Sequence, residues 1–60
     1  MVNEFKKLFR LWIKEYGRAT TRKKIQQLIE IIENPKAKEA IRTAAVVLEF
    51  GYIREGDTNE

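Results

Sequence analysis

The chain has 60 residues, with 12 Lys and Arg against nine Asp and Glu for a net charge of +3, and it contains no cysteine, histidine or serine. Disulfides and a structural zinc site are thereby excluded, and the commonest nucleophiles and the usual general base are missing. One small domain of this size has a limited core, so self-association is the expected further source of stability.

Three helices are predicted, at about 3–16, 21–33 and 35–50. The first starts at Asn3, an N-cap residue type, with Glu4 in its first turn. Phe5, Leu8, Phe9, Trp12, Ile13 and Tyr16 recur at helical spacing and form one apolar stripe. Gly17 fits the left-handed position that ends many helices. Arg18-Ala19-Thr20 reads as a short connection, with Thr20 or Thr21 as the next N-cap. In the second helix Ile25, Leu28, Ile29 and Ile32 give the stripe, flanked by Ile31. Asn34-Pro35 then ends this helix and starts the third, with Asn34 as N-cap and Pro35 at the first helical position.

The third helix is amphipathic through Ala37, Ala40, Ile41 and Ala44, then apolar on every side from Ala44 to Leu48. A helix that is apolar all round is buried all round. In a three-helix chain this points to a homodimeric bundle with Ile41, Ala44, Ala45, Val47 and Leu48 in the contact. The competing reading is a central helix covered by its own chain. Gly51 caps or bends this helix, and Tyr52-Ile53-Arg54 extends it or forms a short strand. The fold class is therefore all-α: one helical domain over 1–55, with 56–60 as a polar tail.

The charge order is unusual. The second helix opens on Arg22-Lys23-Lys24, where the helix dipole favours acids, and carries Glu30 and Glu33 near its end. The third helix has Lys36 and Lys38 early and Glu49 late. An antiparallel hairpin of the two sets Lys36 and Lys38 near Glu33 and Glu30, and Glu49 and Glu55 near Arg22 and Lys23. Residues 1–18 hold five cations and two acids, whereas the remainder is balanced, so the whole net charge lies in the first helix and its exit. Lys6, Lys7, Arg10 and Lys14 form a cationic stripe, with Arg18 and Arg22 as neighbours.

No arrangement of residues suits catalysis. Glu30 and Glu33 share a helix face without any further ligand, which reads as solvation, and the three glycines are too scattered for a phosphate loop. No catalytic residue, metal or cofactor is expected. With no signal peptide and no apolar span, a cytoplasmic protein is expected.

Three functional readings follow. The first is a small non-enzymatic homo-oligomer that modulates or inhibits a partner protein, of the kind encoded by phages and mobile elements, using the basic stripe on an acidic surface. The alternative is a DNA- or RNA-binding regulator. In it, Thr20, Thr21, Arg22, Lys23, Gln26 and Gln27 would lie on a reading helix, although Arg18 and Lys23 then fall where that motif buries apolar residues. A membrane-surface helix over 3–16 ranks last, since its apolar face is needed for the core.

Overall fold

The computed structural model describes residues 1–54. Among these residues the regular structure is all helical, with three helices, α1 (Val2–Tyr16), α2 (Arg18–Ile31) and α3 (Pro35–Val47). There is no strand among the described residues. Helix α1 packs against both others. The expected tail at 56–60 and the expected role of Glu55 lie outside the described residues.

The apolar stripes meet as their spacing dictates. Phe9, Ile25, Ile29, Ile41, Ala44, Ala45 and Ile53 form the buried core, with Phe5, Leu8, Trp12, Leu28, Ile32 and Leu48 packed around it. Phe9 is stacked between Phe5 and Trp12, at ring-centroid distances of 5.8 and 5.4 Å. Ile31, on the flank of the α2 stripe, is 74% exposed.

Helix α1 begins one residue ahead of the expected Asn3 cap. The Met1 carbonyl accepts from the Phe5 amide at 3.2 Å, and the Met1 ammonium pairs with Glu4 at 3.0 Å. That hydrogen bond, with the charge behind it, holds the Glu4 carboxyl below its ordinary value of 4.5.

The corner between α1 and α2 is a single residue. Gly17 has φ 85 and ψ 168 and serves both as C-cap of α1 and as N-cap of α2. Arg18-Ala19-Thr20, expected as a connection, is therefore the first turn of α2, and neither Thr20 nor Thr21 is its cap. Thr21 is fully buried, and its Oγ1 donates to the Gly17 carbonyl at 2.7 Å. The hydroxyl thus bonds back to the carbonyl of the cap residue rather than capping the first amides of the helix.

The backbone angles of Gly17 are open essentially to glycine alone. A Cβ there would meet nothing within 4 Å. Gly17→Ala is therefore expected to destabilise through backbone strain alone, by about 1–3 kcal/mol, as read by urea denaturation.

Helix α2 ends at Ile31, two residues before the expected limit, because Ile32 is extended. Asn34 caps α3 as its sequence predicts: its Oδ1 accepts from the Lys36 and Ala37 amides at 2.8 and 3.3 Å, with Pro35 following it. Helix α3 stops at Val47 rather than near Phe50. Glu49 has φ 69, the Phe50 amide bonds the Ala45 carbonyl at 2.9 Å, and the Glu49 amide bonds the Val46 carbonyl at 2.9 Å. This is the Schellman hydrogen-bond pattern, with a glutamate where glycine is usual. Gly51 also has a positive φ, of 83.

The chain then runs back along the protein as an irregular segment, neither helix nor strand, and Ile53 enters the core. Ile41, Ala44 and Ala45 were expected in a contact between chains. All three are fully buried within one chain. The returning segment supplies cover that three helices alone would lack. Nor is α3 buried all round, since Val46 and Val47 are 48% and 49% exposed.

Candidate functional site

The six cations proposed as a partner-binding surface divide into two groups. Arg18 and Arg22 stand one turn apart on α2, and Gln26 follows one turn later, so the three share a face. Each donates to a backbone carbonyl beyond α3. Arg18 Nη2 reaches the Leu48 and Glu49 carbonyls at 3.0 and 3.1 Å. Arg22 Nη1 reaches the Phe50 carbonyl at 2.6 Å, and Gln26 Nε2 reaches the Arg54 carbonyl at 3.1 Å. From α3, Arg42 Nε donates to the Ile53 carbonyl at 2.9 Å.

Two of these arginines also stack. The Arg18 guanidinium lies 4.3 Å from the Phe50 ring centroid, and that of Arg42 lies 5.3 Å from the Tyr52 ring. A planar, weakly hydrated guanidinium suits such combined stacking and hydrogen bonding better than an ammonium does.

These contacts account for part of the inverted charge of α2. Arg22, one of its three opening cations, and Arg18 before it sit just past the C-terminal end of α3, where the helix dipole favours positive charge. The carboxylate of Glu49 was the expected complement, but the groups received by Arg18 and Arg22 are main-chain carbonyls. Lys24 is placed differently: its Nζ lies 4.7 Å from the Tyr16 ring centroid and 5.7 Å from that of Trp12. Arg18 and Arg22 are thus both engaged within the fold, Arg18 while remaining exposed.

The second group lies on α1. Lys7, Arg10 and Lys14 are exposed and Lys6 is half-buried. Lys6, Arg10 and Lys14 make no side-chain hydrogen bond, ion pair or ring contact with any described residue. Lys7 adds to the field that favours ionised Glu4. Leu11, 52% exposed, stands one helical turn from both Lys7 and Lys14. The outer face of α1 is therefore cationic with one apolar residue among its charges. Sequence reasoning missed Leu11, although its place outside the apolar stripe was the available signal.

A shallow depression of about 170 Å³ lies between α1 and α2, lined by Trp12, Lys24, Gln27, Leu28 and Ile31. Among the described residues no group of Asp and Glu is arranged to hold a metal ion, and no helix is long and apolar enough to cross a membrane. Comparison with protein-family models, with curated proteins and with solved structures finds no match to this chain.

Proposed function

We propose that this chain is a small non-enzymatic binding protein that modulates or inhibits a partner protein by laying the outer face of α1 on an acidic surface. One observation carries the reading. Lys6, Arg10 and Lys14 have no partner among the described residues, whereas Arg18 and Arg22 are engaged within the fold. The partner-binding set is thereby narrowed to Lys6, Lys7, Arg10 and Lys14.

Two features favour a protein surface over nucleic acid. Leu11 places an apolar side chain within the cationic face, where a flat protein contact gains from burying it and a phosphate row does not. Three residues of the would-be reading helix are also unavailable: Thr21 is buried, and Arg22 and Gln26 hold the returning segment. A regulator of the kind found in phages and mobile elements, acting in the cytoplasm, suits a short chain without cysteine.

Self-association belongs to the same reading, moved from the core of α3 to its outer edge at Val46, Val47 and Leu48. The antiparallel hairpin of α2 and α3 belongs to it as well, supported by the reach of Arg18, Arg22 and Gln26 to the carbonyls that follow α3.

Binding is tested with an immobilised Asp/Glu-rich peptide and an immobilised DNA duplex. The native chain is expected to prefer the peptide. Combined Lys6→Gln, Arg10→Gln and Lys14→Gln should weaken that binding by roughly tenfold, at 0.2–1 kcal/mol per exposed charge pair. Tighter binding to the duplex at the same salt would install the nucleic-acid reading in its place.

A further inference from the structure

We propose that the returning segment, residues 50–54, is an exchangeable arm, and that its seat on α2 and α3 receives the same segment from a second copy of this chain. The inference deepens the self-association reading above by naming the contact, and it is independent of the basic face of α1.

The seat is a complete recognition site for an extended peptide. Arg22, Gln26 and Arg42 donate to the carbonyls of Phe50, Arg54 and Ile53, at 2.6, 3.1 and 2.9 Å. Ile53 fills a buried socket, and Arg42 covers the Tyr52 ring. These contacts come from α2 and α3, while the arm reaches them only through Leu48 and Glu49. A seat of this kind can accept the arm from another chain, because the contacts of Tyr52, Ile53 and Arg54 are reproduced.

The connection explains why exchange competes. Ala44-Ala45-Val46-Val47-Leu48-Glu49-Phe50 contains neither glycine nor proline, so no helix breaker bars a helix that runs on to Phe50. In the closed chain that helix is broken at Glu49, which is held at φ 69. A non-glycine residue bears a cost there that glycine does not. Continuing α3 by one turn relieves Glu49 and carries the arm away from its own seat. Ile53 is then left without a core unless a second copy provides one. Exchange thus trades the Schellman turn and the Arg18 contacts for a relaxed backbone, with the seat contacts of Tyr52, Ile53 and Arg54 preserved between chains.

Substitutions at Glu49 shift this balance in opposite directions. Glycine favours the closed turn, whereas a β-branched residue opposes the left-handed backbone. Light scattering across concentration is expected to show Glu49→Ile dimerising at roughly tenfold lower concentration than the native chain, and Glu49→Gly at roughly tenfold higher. Circular dichroism reports whether Glu49→Ile folds. If it does not, the comparison of the native chain with Glu49→Gly decides, since equal masses at every concentration overturn the proposal.

The contact itself is tested by cross-linking, aided by the absence of native cysteine. Chains carrying Gln26→Cys and chains carrying Arg54→Cys are made separately, mixed at millimolar concentration and equilibrated in a glutathione buffer. The mixed disulfide is expected to exceed both homodisulfides many-fold. A dimer whose mixed disulfide is no commoner than random pairing sinks arm exchange and leaves dimerisation through Val46, Val47 and Leu48. A monomer up to millimolar concentration, for the native chain and for folded Glu49→Ile, sinks both.

Discussion

Phe9→Ala is expected to leave much of the chain unfolded at room temperature. Phe9 is the largest fully buried side chain and is stacked on both sides along α1. Truncating a buried Phe costs about 3–5 kcal/mol. A core this small supplies a net stability of only about 3–5 kcal/mol. The two figures are equal in size, so the folded and unfolded populations should become comparable, as read by loss of helical circular dichroism. Leu11→Ala on the outer face of the same helix is the control, since exposed truncations usually stay within about 0.5 kcal/mol. Alanine raises helix propensity at either position, so a loss of stability in Phe9→Ala comes from packing.

Ile53→Ala is expected to destabilise the whole protein rather than to free its end. Ile53 belongs to no helix, yet it is as buried as Ile25, Ile29 and Ile41, with which it shares one core. A buried Ile→Ala change costs about 2–5 kcal/mol. The carbonyl contacts of Arg22, Gln26 and Arg42 depend on the same seat, and neighbours of this kind lose stability together rather than independently. The urea midpoint should fall, and amide exchange should quicken in α2 and α3 as well as in residues 50–54. Faster exchange confined to residues 50–54, with the midpoint unchanged, would show the segment to be an accessory.

The three helices were legible because each apolar stripe has the helical period and because Asn34-Pro35 is a cap with a mechanism. Helix ends were less legible. Thr20 and Thr21 are good cap residues, but the single-residue corner at Gly17 moves the start of α2 ahead of them. Gly51 drew attention as the terminator of α3, whereas Glu49 takes the left-handed position two residues earlier. The use made of Arg18 and Arg22 was hidden for a plainer reason. Their partners are main-chain carbonyls, which carry no residue identity, so a search for complementary carboxylates passed over them. The burial of Ile41, Ala44 and Ala45 within one chain was hidden likewise, because part of their cover comes from Ile53, which belongs to no helix. The basic face of α1 needed no tertiary information, since charge and helical spacing place it together.

The division of the cations is the central claim, and two variants measured side by side test it. One carries Lys6→Gln, Arg10→Gln and Lys14→Gln, and the other carries Arg18→Gln and Arg22→Gln. For each, urea denaturation gives stability, and binding to the immobilised acidic peptide in denaturant-free buffer, referred to the folded fraction read by circular dichroism, gives affinity. The α1 variant should keep the native urea midpoint and lose binding, while the α2 variant should lose midpoint and keep the binding of its folded fraction. The opposite pattern, with the α1 variant destabilised or the α2 variant stable and unable to bind, would contradict the account.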